Sequence, residues 1–284
     1  MSNIKVVTDS TADIPVELIE ELGITVVPLN VIFSDDEMYE DGVTLTSNQF
    51  YQKVKEKNVI PSTSQPTPYQ FEEVYRSLLE EDDTHILSIH LSSKLSGTYQ
   101  AASIAKQTMD DIDSIHVVDS KRASYAIGII VVEMARMVKA GKSLVECKAR
   151  LEHLLKETTV FFMVDTLEYL QKNGRIGTAS AVLGSMLKIK PILSLSEQGE
   201  VIPFEKARGQ KKALNRIVEL LKEQYGSQPI HVGISHAVNE SLAVEMIDRI
   251  KAEFNVESDV ITSIGAVIGA HVGPGTVAIS MTKA

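Results

Sequence analysis

The chain has 284 residues, enough for one large domain or two ordinary ones. With 44% hydrophobic and 23% charged residues it has the composition of a soluble globular protein, which excludes fibrous, disulfide-stapled and natively unfolded classes. The formal net charge of -10 opposes attraction to nucleic acid, so no nucleic-acid partner is expected.

Short β-branched runs alternate with longer segments of helical periodicity almost from end to end, which is typical of an α/β protein with a largely parallel sheet. Three capping boxes predict ordered helix starts, and they are Thr46 with Gln49, Thr67 with Gln70, and Ser143 with Glu146. The predicted strands cover residues 4–8, 24–33, 85–90, 115–118, 160–164, 189–195, 201–206, 230–235, 260–262 and 276–281.

The alternation of predicted strands and helices changes after about residue 155. The runs 189–195 and 201–206 are joined by only five residues, which predicts an antiparallel hairpin. We therefore expect two packed α/β domains. The first, residues 1–155, has a mostly parallel sheet and hydroxyl-rich loops, and the second, residues 156–284, has a mixed sheet.

Several segments resemble known nucleotide-binding or metal-binding motifs but lack a required feature. Gly-Lys-Ser at 141–143 resembles the end of a P-loop, but the upstream glycine position holds Arg136. The glycine pattern at 273–278 precedes a strand instead of a helix, so it predicts a turn. His85 and His90 point to opposite faces of one predicted strand, and we expect no metal site.

A hydroxyl-rich loop at 91–99 follows one predicted strand and leads into a helix predicted over 99–108. Ser96, Gly97 and Thr98 lie near that helix's N-terminus, where free backbone N–H groups and the helix dipole favour an anion. In the alternative interpretation, Ser96 merely caps the helix.

A second hydroxyl cluster, at 62–67, precedes the helix capped by Thr67. In a parallel sheet both hydroxyl-rich segments would project beyond the carboxyl ends of strands, where ligands usually bind. Helix capping by Thr67 alone explains the second cluster equally well.

Three basic residues occupy loop positions. Arg175 follows Gly174, a predicted left-handed helix stop, and Arg208 precedes a helix predicted over 210–225. His271 precedes a Gly-Pro-Gly turn, where it could donate to an anion or simply be a satisfied turn residue. Each cation taken alone is more commonly a surface charge than a ligand group.

Two segments rich in small residues, 179–187 and 265–270, could leave room in the core for something other than protein. Close helix packing through glycine and alanine is the commoner explanation, and periodicity does not decide between the two.

Nothing in the sequence indicates export or membrane insertion. The first residues lack a basic region followed by a long apolar one, and the apolar stretch 126–132 is too short to cross a bilayer. The single cysteine, Cys147, cannot form an internal disulfide. We therefore expect a cytoplasmic protein.

Taken in order, the motifs resemble the DegV family, whose characterised members are fatty-acid-binding subunits of bacterial fatty acid kinase. No single motif is diagnostic, but the ordered set is specific and spans nearly the whole chain. The matching segments are TDSTAD at 8–13, TSQP at 63–66, LSSKLSGTY at 91–99, VDS at 118–120, GRI at 174–176, KIKP at 188–191, Arg208, and HVGPGT at 271–276.

The resemblance implies a long-chain fatty acid, such as palmitate, held in an apolar tunnel. It assigns the carboxylate to the hydroxyls of Thr63 and Ser96, with His271 close by and with Gly97 and Thr98 beside Ser96.

The same resemblance places Arg175 and Arg208 near the tunnel mouth, where they would face the phosphorylated product or the kinase. One departure is Asn173, which stands where the family more usually has glycine. This departure and the variable segment after Arg208 leave the kinase contact less well defined.

The implied protein is a carrier without a complete active site or cofactor of its own. A separate kinase subunit would bring ATP and form an acyl phosphate, which an acyltransferase at the membrane would use in phospholipid synthesis. The alternative is a hydrolase of acyl or phosphoryl groups with Ser96 or Ser93 as nucleophile and His271 as base. A purely structural interaction protein is the third possibility.

Overall fold

The structure is a computed structural model that describes residues 3–81, 83–185 and 189–284. Its strands are β1 Asn3–Asp9, β2 Thr25–Val27, β3 Asn30–Ser34, β4 Glu37–Glu40, β5 Ser62–Ser64, β6 Thr84–His90, β7 Ile115–Asp119, β8 Thr159–Met163, β9 Lys190–Leu195, β10 Val201–Ala207, β11 Ile230–His236, β12 Val256–Ser263 and β13 Val277–Lys283. Its α-helices are α1 Val16–Leu22, α2 Ser47–Lys57, α3 Pro68–Leu78, α4 Thr98–Gln107, α5 Tyr125–Lys139, α6 Leu144–Glu157, α7 Glu168–Lys172, α8 Gln210–Tyr225, α9 Glu240–Glu253 and α10 Ala266–Val272. Two 3₁₀ helices cover Ser10–Ala12 and Gly177–Ser185.

Three sheets organise the described residues. A four-stranded parallel sheet has the order β2-β1-β6-β7, and a six-stranded mixed sheet has the order β10-β9-β8-β13-β11-β12. A small antiparallel sheet, β4-β3-β5, accompanies them. The predicted α/β class, with a parallel N-terminal and a mixed C-terminal sheet, is confirmed.

Most local predictions are confirmed. All three capping boxes show both reciprocal hydrogen bonds, and β9 pairs with β10 in antiparallel register. The helix predicted over 210–225 is α8, and residues 273–276 form a turn into β13. The signals behind these predictions act within a few residues, so distant contacts do not override them.

One strand prediction is wrong. Residues 24–33 form two strands in different sheets, since β2 pairs with β1 whereas β3 pairs with β4 and β5. The chain leaves the first sheet at Pro28, which has no backbone N–H for a ladder. The Leu29 N–H that follows bonds to the hydroxyl of Ser10, at 3.1 Å, instead of to a strand.

The largest hydrophobic cluster runs through both halves of the chain. Its centre is α5, whose buried residues pack against β1 and β6 of the parallel sheet and against β11 and β13 of the mixed sheet. The predicted boundary at 155/156 falls inside α6, and the division into two domains stays a prediction. Within the described ranges, α5 included, helices of the length and apolarity that a membrane span requires do not occur.

Candidate functional site

An apolar cavity of about 260 Å³ lies where the two halves of the chain meet. Most of its wall is aliphatic or aromatic, contributed by Leu29, Leu91, Leu95, Ala123, Val160, Phe162, Leu170, Leu195, Val201, Ile264, Val267, Ile268, Val272 and Ala278. The polar lining comes from Thr63, Ser64, Gln65, Ser96, Ser124, Arg175, His271 and Thr276. Such a wall favours a ligand with a long apolar body and one polar end.

Four of the predicted site residues, namely Thr63, Ser96, Arg175 and His271, line this one cavity. The side chains of Thr63 and His271, 208 positions apart in the sequence, are in direct contact. Thr63 Oγ1 lies 2.9 Å from His271 Nε2. Thr63 is on β5 of the small antiparallel sheet, so the expectation that segment 62–67 follows a parallel strand is wrong. Pairing of β5 with β3, and not the end of a parallel strand, sets its position.

Ser96 lies in the turn that leads into α4. Its hydroxyl is 2.9 Å from Thr98 Oγ1 and accepts the Thr98 N–H at 3.4 Å. A Cβ atom at Gly97 would lie 2.0 Å from Gln65 Oε1, so a side chain there would require the Gln65 amide to move. This close approach brings the segment after Thr63 beside Ser96. Gly97 and Thr98 are not among the described lining residues, and Thr98 contacts the Ser96 hydroxyl.

Arg175 is placed by the end of α7. Gly174 has a φ of 70°, the N–H of Gly174 bonds to Gln171 O at 3.1 Å, and the N–H of Arg175 bonds to Leu170 O at 2.9 Å. This is the two-bond Schellman ending, so the predicted left-handed stop is confirmed. The Arg175 Nε donates to Leu95 O at 3.0 Å, which ties this loop to the one that carries Ser96.

The surroundings of the His271 ring shift its pKa. Burial, together with the nearby positive charge of Arg175, lowers the pKa of His271 to about 4, so the ring is neutral at pH 7. Its Nδ1 atom is buried and has no hydrogen-bond partner among the described residues. A buried nitrogen of this kind is costly unless a ligand or water satisfies it.

Two buried carboxylates hold the start of α10, the short helix that carries His271. Asp13 accepts the N–H of Gly265 at 2.8 Å, and Asp41 accepts those of Ala266 and Val267 at 2.9 and 3.3 Å. Burial raises the pKa of Asp41 to about 6 and that of Asp13 well above its usual value. Sequence reasoning missed both roles. Asp13 lies in the motif 8–13 that resembles the DegV family, but no motif near Asp41 indicates a role for it.

Arg208 lies away from the described cavity lining. It directly follows β10, and Val201 at the other end of β10 lines the cavity wall. Because seven extended residues span about 20 Å, Arg208 lies about that far along the strand from Val201. Its assignment to the kinase side stays a prediction. Lys188, in the motif 188–191, lies outside the described residues, as do Met186 and Leu187 of the small-residue segment. The other such segment, 265–270, overlaps α10 and does line the cavity.

The contacts of the two candidate nucleophiles differ from those of a serine hydrolase. Among the described residues, His271 bonds to Thr63 and to neither serine. Ser93 donates its hydroxyl to the carboxylate of Asp119, and Ser96 pairs with Thr98. A base that activates a serine needs to lie within hydrogen-bond reach of its hydroxyl. The geometry therefore gives the hydrolase alternative no support.

The chain is similar to known proteins over its full length. The family model that matches is that of DegV, described as "Uncharacterised protein, DegV family", and it covers residues 3–284. Protein DegV of Bacillus subtilis is 39% identical over 279 residues, which are 98% of each chain.

Two solved structures resemble it closely. A DegV family protein from Thermus thermophilus, described by its fatty acid binding, superimposes with a TM-score of 0.93 at 38% identity and covers 100% of both chains. DegV from Bacillus subtilis, described as a fatty acid binding protein, gives a TM-score of 0.90 at 38% identity with the same coverage. The motifs, the fold and these full-length similarities together show that the chain belongs to the DegV family.

Proposed function

We propose that this protein binds one long-chain fatty acid, such as palmitate, in the cavity and presents its carboxylate to a partner kinase. The observation that carries the proposal is an apolar cavity whose polar lining includes the contacting pair Thr63 and His271. The fatty acid binding ascribed to the structural relatives from Thermus thermophilus and Bacillus subtilis supports it.

Burying an acyl chain against this apolar wall is favourable. Removing one methylene from water is worth about 0.8 kcal/mol, so a sixteen-carbon chain gains roughly 12 kcal/mol before the costs of binding. The carboxylate gains nothing from an apolar wall and needs hydrogen-bond donors. The hydroxyls of Thr63 and Ser96 are the groups suited to meet it. The His271 ring, which holds one proton when neutral and already contacts Thr63 through Nε2, can donate from its buried Nδ1 alongside the Thr63 hydroxyl only when the ring is protonated.

The proposed reaction occurs with a separate, ATP-binding kinase in the cytoplasm. A carboxylate oxygen of the bound fatty acid attacks the γ-phosphorus of ATP, and ADP leaves to give an acyl phosphate. That product would pass to an acyltransferase at the membrane for phospholipid synthesis. The chain then acts as the lipid-binding subunit, and the basic side chains of Arg175 and Arg208 offset the charge added by the phosphoryl group.

Mass spectrometry of the purified protein tests the central part of this proposal. Denaturing the protein after gentle purification from bacteria should release intact fatty acid in about one equivalent per chain. Extraction without lipid would contradict it and would favour a structural interaction protein. Turnover of acyl esters without a partner, lost in Ser96→Ala, would favour the hydrolase.

Arg208→Ala should retain bound lipid and lower kinase-dependent acyl phosphate formation about tenfold or more. Arg208 is exposed and lies outside the described lining, so its removal leaves the apolar wall unchanged. Lipid content and product formation with the purified kinase are measured on the same samples. Lys251→Ala, which removes an exposed cation on α9, is the control. Loss of lipid in Arg208→Ala would show that its role is misassigned.

The affinity for an ionised headgroup should rise several-fold from pH 8 to pH 5. The His271 pKa is about 4 without an anion, and a nearby negative charge favours the protonated ring and raises that pKa. Binding therefore takes up a proton, and it tightens as the pH falls through the raised pKa. An alkanesulfonate, ionised throughout, is the probe for titration calorimetry. If the affinity of His271→Ala rose equally from pH 8 to pH 5, protonation of His271 would not be the cause.

A further inference from the structure

One side chain outside the described cavity lining connects the segments that carry three of the site residues. Asn173 ends α7, and its backbone N–H donates to Tyr169 O at 3.1 Å. Its side-chain amide donates to Pro61 O at 3.0 Å and to Ala270 O at 2.8 Å. Its backbone oxygen accepts from Arg175 Nη1 at 2.7 Å.

Those carbonyls belong to the segments that carry two residues of the proposed carboxylate site. Pro61 is two residues before Thr63, and Ala270 immediately precedes His271. The strand β5 and the helix α10 are therefore joined twice, once by the Thr63–His271 contact and once through the Asn173 amide.

An uncharged amide is well suited to this place. Its two N–H groups diverge in one plane, so they fix the separation of the two carbonyl oxygens that they meet. A carboxylate of the same shape would set oxygen against oxygen, and a shorter side chain would leave both carbonyls without this donor.

We propose that Asn173 is a positioning residue, which holds β5 and α10 at the spacing that keeps Thr63 in contact with His271 and aims this pair at the ligand carboxylate. The inference rests on the proposed fatty acid binding. It also makes a separate claim, because it predicts dependence on the headgroup and not on the acyl chain.

The test compares dissociation of palmitate with that of 1-hexadecanol, which has the same chain length and no carboxylate. Asn173→Ala should release palmitate about three- to tenfold faster and leave 1-hexadecanol nearly unchanged. Asn173→Gln, which keeps both amide donors, should restore part of the palmitate retention. Asn215→Ala, which removes an amide contact to Arg249 far along α8, should change neither rate.

A double variant separates positioning from general stability. In the Thr63→Ala background, Asn173→Ala should have a smaller effect on palmitate release, because one partner of the spaced pair is already missing. Equal acceleration of both ligands, or an effect on palmitate that is unchanged in that background, would overturn the inference. Wild-type protein that binds neither ligand would instead overturn the proposed function, and this inference with it.

Discussion

Replacing both Thr63 and Ser96 by alanine is expected to weaken palmitate binding by roughly 2–4 kcal/mol, or about thirty- to a thousandfold. Each hydroxyl is a candidate donor to the ligand carboxylate, and hydrogen bonds to a charged group are the stronger kind. The two losses need not add, since the hydroxyls would serve one headgroup. Equilibrium titration with palmitate checks the result.

A pair at α4 and its C-terminal cap controls for the loss of two hydroxyls. Ser103 donates to Tyr99 O within α4, and Thr108, which caps α4, donates to Ala105 O and contacts Glu72 Oε2 at 3.0 Å. Neither is among the described lining residues. Ser103→Ala with Thr108→Ala should leave the affinity within about twofold. Unchanged binding in the Thr63 and Ser96 double variant would refute their assignment as carboxylate donors.

Ala278→Phe is expected to abolish retention of a sixteen-carbon acid while the protein stays folded. Ala278 lies opposite Phe162 in the β13–β8 pairing, and both line the cavity. A phenyl ring takes the room of about five methylenes, and at 0.8 kcal/mol each about 4 kcal/mol of chain burial is lost. That loss corresponds to nearly a thousandfold in affinity.

The enlarged side chain has space to enter, so the cost of overpacking should be small. Co-purified lipid and the thermal midpoint are therefore measured together. Ala252→Phe, at an exposed position on α9, should keep its lipid. If Ala278→Phe folded normally and still carried a full equivalent of palmitate, the cavity would not be the acyl site.

Local chemistry made much of the site predictable. The turn before α4 and the Schellman ending at Gly174 both depend on residue types within a few positions of one another. His271, expected in a loop, instead lies on the helix α10, which ends just before the Gly-Pro-Gly turn. Motif order then brought Thr63, Ser96, Arg175 and His271 together as a resemblance, and the structure places all four on one cavity.

The supporting contacts could not be predicted from the sequence. Asp41 meets Ala266 across 225 positions, and Asn173 meets Pro61 across 112. No periodicity or spacing encodes such pairs, because they depend on how the sheets and helices pack. The break at Pro28 was missed for a related reason, since the β-branched run continues across a change of sheet.

The largest hydrophobic cluster, which runs through both halves of the chain, has a consequence for degradation of the protein. Its members around the cavity come from both ends of the sequence, so a bound acyl chain would complete an interior that neither half completes alone. A ligand that binds only the native state raises its stability by about 2.7 kcal/mol at a hundred times its dissociation constant. Protein loaded with the proposed ligand would then unfold less often, and would resist proteases longer, than the same protein without lipid.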